Sequence, residues 1–225
     1  MNVPPELADG FSRFCSDLYP RQKQLYEELA ENGQSPHTLV IGCCDSRVDP
    51  SQIFDARPGE LFVVRNVANL VPPYEGASGF HGVSTALEFG VTVLKVANIL
   101  VMGHKQCGGI HASAAGHTEK DSLFIGHWIS ALLPAREEVV RETGTSATID
   151  EIADALELNG IRHSIERLKT YPFVKSALKD KSLTIHGARF GVAKGHLEWM
   201  SEDGRFAPVQ NCFKPSPADT QDMQS

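Results

Sequence analysis

Apolar positions along this chain follow two rhythms. Short unbroken apolar runs occupy residues 37–44 (HTLVIGCC), 60–67 (ELFVVRNV), 97–104 (ANILVMGH) and 181–190 (KSLTIHGARF). Runs of this length, rich in β-branched residues, read as strands, and the most continuous of them as strands buried on both faces. A fifth, residues 196–201 (HLEWMS), follows the fourth in hairpin style through the Gly195 region. Helical spacing fills the rest. Phe80, Val83, Leu87, Val91 and Leu94 share one face of residues 78–94, which predicts a helix there. A long helical region runs over 122–179, broken around 143–147 and near Pro172. Two further helices open the chain, over 5–16 and from Pro20 to about Glu31, the second stopped by Asn32-Gly33.

Strands that alternate with helices imply an α/β fold. The expected architecture is a mostly parallel central sheet, with about four parallel strands plus an antiparallel edge strand, flanked by helices. The polar opening helices form an N-terminal helical arm over 1–33, the α/β domain spans 34–207, and the Pro-rich end, 208–225, is expected to be a flexible tail.

Composition narrows the partners. The 225 residues are 41% hydrophobic, enough for a buried core, and carry a formal net charge of -7. That sign repels phosphate backbones, so nucleic acid is an unsuitable partner. No run of 18 apolar residues exists, which predicts no membrane insertion. The first residues have neither a basic nor an apolar targeting pattern, so the expected compartment is the cytoplasm. Five cysteines, an odd number, point to thiols and metal chemistry more than to a disulfide framework.

In open parallel sheets, ligands bind beyond the carboxyl ends of the strands. Two strands here end in metal-competent residues: the first in Cys43-Cys44-Asp45, the third in His104-Lys105-Gln106-Cys107. Parallel pairing would set these ends side by side although 61 to 64 residues separate them. A buried small cysteine or a structural histidine explains either end alone, but packing does not explain both together. Two thiolates and an imidazole suit zinc, and three protein ligands leave a corner for solvent, as catalytic sites do. Cys44 is expected to point away from Cys43 and not to bind. Asp45 and Arg47 can form a two-pronged ion pair beside that corner; an ordinary surface pair is the simpler alternative.

The joined motifs, Cys43-Cys44-Asp45-Ser46-Arg47 and His104-Lys105-Gln106-Cys107-Gly108-Gly109, resemble the signature of the β-class carbonic anhydrases. The blocks around them, from about Gln34 to Ile110, are similar too, and the likeness continues more weakly to the fourth and fifth strands. The resemblance implies zinc, one ion per chain, on Cys43, His104 and Cys107, with Asp45–Arg47 as the catalytic dyad. It implies reversible hydration of carbon dioxide to bicarbonate by metal-bound hydroxide. It also implies a homodimer or higher homo-oligomer with active sites at the interface. Gln34 matches a glutamine that reaches substrate from across that interface, Phe62 and Val67 match apolar pocket positions, and Gly108 lies in the motif beside the substrate. Phe89 stands where some members carry tyrosine, so a hydroxyl is missing. Val40 replaces the tryptophan of members with a non-catalytic bicarbonate site, which points away from that subtype. Cys44 replaces the usual serine.

Two thiolate ligands should make activity rise in the alkaline range. His81, His111, His117 and His127 are candidates for passing the proton to buffer. Competing readings are hydrolysis of carbon disulfide or carbonyl sulfide on the same site, and a zinc-structured binding module in which Cys44 or Asp45 fills the fourth position. A nucleotide-binding reading is poor, because Gly108-Gly109 matches neither phosphate-loop pattern.

Overall fold

A computed structural model describes residues 3–76, 81–118, 120–144 and 146–209. The chain opens with α1 (Pro5–Arg13), a wide π-type turn (Phe14–Leu18) and α2 (Tyr19–Asn32), which ends at Gly33. The two expected helices are both present, joined by the π-type turn, and Pro20 falls in the first turn of α2, where its missing N–H costs nothing. No residue of this arm is buried.

Then follow β1 (Thr38–Cys43), α3 (Pro50–Ile53), β2 (Leu61–Asn66), α4 (Gly82–Glu88), β3 (Asn98–His104) and α5 (Gly108–Ala114). The helical region resolves into α6 (Ile125–Ile129), α7 (Leu133–Thr143), α8 (Ile149–Leu168) and α9 (Pro172–Lys179). The break between α7 and α8 is where the sequence puts it: Gly144 stops α7 at φ 82°, and Thr148 with Glu151 forms a capping box that starts α8. The chain ends in β4 (Thr184–Gly191), β5 (His196–Met200) and β6 (Phe206–Pro208).

Among the described residues one six-stranded sheet runs in the order β2-β1-β3-β4-β5-β6. The first four strands in that order are parallel, and β5 and β6 are antiparallel. The antiparallel edge therefore has two strands, not one. β6 is three residues long with one half-buried position, too short for a sequence rhythm. It also draws Pro208 out of the expected tail, and Val209 N–H donates to Leu197 O at 2.8 Å. Residues 210–225 of that tail, and 78–80 of the helix expected over 78–94, lie outside the described residues. That helix starts at Gly82 and passes into a π-type turn at Phe89–Val93.

Alternation along the strands sorts the core. Leu39, Ile41, Ile99 and Val101 face α4, α8 and α9 and pack with Leu87, Ile161, Ile165 and Val174. Val40, Leu100 and Met102 face the opposite way, against Ile53, Phe54 and Trp199. Helix α8 lies close on the sheet because Gly103 carries no side chain: a Cβ there would stand 2.9 Å from Ile161 Cδ1. A third apolar cluster, from α5 to α8, surrounds Cys43 and Cys107 at the carboxyl end of the strands.

Candidate metal centre

Parallel pairing of β1 with β3 brings the two sequence motifs together, as their strand-end positions require. Cys43 is the last residue of β1 and His104 the last of β3. Past His104 the chain turns through Gln106 at φ 58°, in the left-handed region. That conformation folds the three-residue step so that Cys107 comes back beside His104. Cys43, His104 and Cys107 are all buried, and their ligating atoms lie within 4.8 Å of one another.

The donor chemistry fits zinc. Cys43 Sγ and Cys107 Sγ are 3.8 Å apart, the edge of a tetrahedron with Zn–S bonds of ~2.3 Å, which is about 3.8 Å. His104 Nδ1 donates to the carbonyl of Lys105 at 2.9 Å, which leaves the lone pair on Nε2. That Nε2 is buried and has no hydrogen-bond partner. A buried polar atom without a partner is costly, and a cation between the sulfurs and this nitrogen would remove the cost. The hydrogen bond between the two sulfurs pulls the Cys43 thiol down and, with burial, pushes Cys107 up. Burial alone would lower the His104 imidazole, but the Cys43 sulfur, the Lys105 carbonyl and the Asp45 carboxylate turn the net direction upward.

Asp45 does not join the three. Its Oδ1 accepts from Arg47 N at 3.0 Å and Nε at 2.9 Å, and its Oδ2 from Arg47 Nη2 at 2.7 Å. Oδ2 still lies 3.8 Å from His104 Nε2, so this oxygen faces the open corner. The Arg47 hydrogen bonds hold the Asp45 carboxyl well below the usual carboxylate range. Cys44 is exposed and outside the cluster, as strand alternation implies. Neither candidate for a fourth protein ligand stands in that position.

The expected substrate contacts split into two groups. Val67 follows β2 directly and, with Ala68, leans on the turn after Cys107: a Cβ on Gly109 would stand 2.7 Å from Val67 Cγ1. Gly108 begins α5 beside Cys107. Trp128 Nε1 donates to Val67 O at 2.8 Å and fixes this wall. Gln34, Phe62 and Phe89 lie elsewhere. Phe62 pairs with Leu39 at the start of its strand, about 13 Å along β2 from its metal-side end. Its ring is 5.9 Å from that of Phe89, and exposed Gln34 precedes β1 altogether. In one chain these three do not reach the metal centre. A cavity of about 950 Å³ touches Cys107 and Gly108 but includes neither Asp45 nor Val67, so it is not the expected apolar pocket. Of the histidines, His111 lines that cavity and lies 3.4 Å from Asp150. His117 hydrogen-bonds Ser122, and His81 lines a separate cavity. His127 lies in α6.

Three charged residues were not anticipated. Arg65 donates to Cys43 O at 2.8 Å, to Asp45 O at 2.6 Å and to Asp49 Oδ2 at 3.2 Å. Glu157 accepts from Cys107 N–H at 3.3 Å, and Arg189 holds Glu157 at 3.1 Å. Burial pushes the Glu157 carboxyl up, against the pull of the Cys107 amide and Arg189. The signals were present. Arg65 and Arg189 each interrupt an apolar strand run, and Glu157 falls between Ala153 and Ile161 on the buried stripe of α8.

The carbonic anhydrase family model matches residues 38–197. The chain is 36% identical over 212 residues to Beta carbonic anhydrase 3 of Arabidopsis thaliana, covering 93% of this chain and 81% of that one. Among solved structures, the β-carbonic anhydrase CcaA superposes with a TM-score of 0.83 at 29% identity, covering 91% of this chain and 98% of that one. A tetrameric β-carbonic anhydrase of Sordaria macrospora superposes with a TM-score of 0.77 at 26% identity, covering 87% of this chain and 95% of that one.

Proposed function

The chain belongs to the β class of the carbonic anhydrase family, a family of enzymes, and from that premise we propose that it interconverts carbon dioxide and bicarbonate with one zinc ion held by Cys43, His104 and Cys107. The observation that carries this reading is the buried, partnerless His104 Nε2 facing two sulfurs at tetrahedral separation, with the Asp45 carboxylate turned toward the remaining corner. Zinc, when bound, supplies the Lewis acidity that makes hydroxide available near neutral pH.

The chain's own residues do the rest. Asp45, kept ionised by Arg47, accepts a hydrogen bond from the attacking oxygen and turns its lone pair toward carbon. Arg47 also donates to Gln106 O at 3.2 Å, which ties the dyad to the ligand turn and keeps Asp45 off the metal. Val67 and Ala68, both against the Gly109 turn, give carbon dioxide, a small uncharged substrate, an apolar wall. Two thiolates place more negative charge beside the site than three imidazoles do, so activity rises with pH.

Gln34, Phe62 and Phe89 complete the pocket from a second copy of the chain. Three features support this. β2 is an unpaired sheet edge. Val67, Phe89 and Val93 are exposed apolar side chains. The Sordaria macrospora relative is tetrameric. Stopped-flow carbon dioxide hydration, with zinc counted in the same sample, tests the activity. Turnover proportional to zinc is expected; one zinc per chain without hydration refutes the reading, and faster turnover of carbonyl sulfide reassigns the substrate. Light scattering on dilution tests the assembly: a chain that is monomeric and fully active contradicts the shared pocket.

A further inference from the structure

Beneath the turn that carries Cys107 lies a charge cluster that the proposed chemistry does not use. Arg189 in β4 is 3% exposed and Glu157 in α8 is 5% exposed. Arg189 Nη1 donates to Glu157 Oε2 at 3.1 Å, to Asp154 Oδ1 at 2.9 Å and to Asp154 O at 3.1 Å, and Arg189 Nε donates to Glu198 Oε2 at 2.6 Å. Glu157 Oε1 then accepts the Cys107 N–H at 3.3 Å. An apolar pair of matched volume is often as stable as a buried ion pair, because both charges must leave water. Fold stability is therefore a weak reason for this pair to be here. What it touches is a stronger one.

The Cys107 amide is the hinge of the ligand turn. Gln106, the residue before it, is left-handed at φ 58°, a conformation that needs support from its surroundings. We propose that Glu157, held in place by Arg189, is a positioning residue for the Cys107 thiolate. It fixes the amide, and through it the turn, so that Cys107 Sγ stands at its 3.8 Å separation from Cys43 Sγ before a metal arrives. This rests on the reading of Cys107 as a zinc ligand. Outer groups that orient ligands in this way typically change metal affinity about 10–100-fold when removed.

Glu157→Gln tests it. The amide has one oxygen for two donors. That oxygen goes to the charged Arg189, and its NH₂ then faces the Cys107 N–H, donor against donor. Glu198→Gln is the control: it removes a carboxylate from the same Arg189 but touches nothing in the ligand turn. Three quantities are read on each full-length variant: zinc affinity by competition with a chelator, the cobalt(II) absorption spectrum, and the Tm of the zinc-free chain.

Glu157→Gln is expected to lose about 10–100-fold in zinc affinity and to shift the cobalt bands. Glu198→Gln is expected to lower Tm while keeping wild-type affinity and spectrum. Equal falls in Tm for the two variants, with affinity and spectrum unchanged in both, overturn the proposal and leave Glu157 a structural group. If Glu157→Gln does not fold, the pair Glu157→Met with Arg189→Met, which leaves no charge between them, is read by the same criteria. Wild-type protein that takes up neither zinc nor cobalt overturns the ligand assignment itself, a separate failure from the positioning role.

Discussion

Substituting Asp45→Asn separates chemistry from stability at this site. Asp45 Oδ1 takes two donors from Arg47 and Oδ2 takes one. Asparagine has a single oxygen, and it keeps more bonds at the Oδ1 position. Its NH₂ then occupies the Oδ2 position, which lies 3.8 Å from His104 Nε2 and faces the open corner. The acceptor offered to the reacting oxygen becomes a donor. In stability, a charge-assisted hydrogen bond is nominally worth ~1.5–3 kcal/mol. Arg47, however, is 47% exposed, so water and salt screen the pair and the net loss is ~0–1 kcal/mol. In rate, losing a placed acceptor costs ~10²–10⁴-fold, equivalent to about 3–5 kcal/mol of barrier. The kinetic effect should therefore exceed the stability effect several-fold. Stopped-flow hydration, zinc content and Tm on one preparation give all three quantities. A variant with full zinc and turnover within about threefold of wild type refutes the dyad. A large fall in Tm with zinc loss would instead make Asp45 a structural residue.

The same geometry gives further expectations. Asp45's depressed pKa means that its contribution to stability is fully present above the ordinary value of 3.8 and is lost only as pH falls toward the folded value. The Tm difference between wild type and Asp45→Asn should thus stay constant from about pH 8 to about pH 5 and shrink only below about pH 4; decay between pH 7 and 5 contradicts the Arg47 pairing. Removing zinc leaves His104 Nε2 buried without a partner. With free zinc at 100 times its Kd, linkage gives ~2.7 kcal/mol, or a Tm higher by about 5–11 °C than in chelator, and equal Tm values by calorimetry contradict the site. Trp128→Phe removes the donor to Val67 O; it should lower Tm by about 2–4 °C and raise KM for carbon dioxide with zinc unchanged, and an unchanged KM means Val67 is not the pocket wall.

The metal centre was legible because strand geometry is local and periodic. Once the segments ending at Cys43 and His104 are parallel neighbours, their ends must meet; the left-handed Gln106 that brings Cys107 round carries no such sequence signal. Cys44 was excluded by the same alternation. The pocket was less legible. Phe62 and Val67 are five positions apart in one run, and their apolar character does not tell that one lies at the metal end of β2 and the other at its start. Only the register, with Leu39 opposite Phe62 and Cys43 opposite Asn66, separates them. Sequence pattern likewise missed β6, which β5 holds in place by pairing and which has no apolar rhythm of its own. The start of the second helix was legible because proline is tolerated in a helix's first turn, whereas the π-type turn that joins the two helices has no sequence signal.

Arg65 and Glu157 show why these two loops needed charges that no ligand motif contains. A parallel strand that stops at its carboxyl end leaves carbonyls short of donors, and the Cys43–Asp45 loop turns two toward β2, of which Asp45 O also accepts from Val48 N–H at 3.1 Å. Only a donor can satisfy both, and the planar guanidinium of Arg65 reaches each from the neighbouring strand. The loop through Cys107 presents the opposite polarity. It opens α5, where N–H groups lack partners within the helix, so an acceptor is required and Glu157 supplies it from α8. The sign of each charge thus follows from the backbone atoms it meets and not from the metal. A lysine at position 65 would deliver a point charge in place of a fork. A glutamine at 157 would divide one oxygen between two donors. Both changes keep the three ligands and their spacing in the sequence, yet each loosens one side of the triangle in which those ligands must stand.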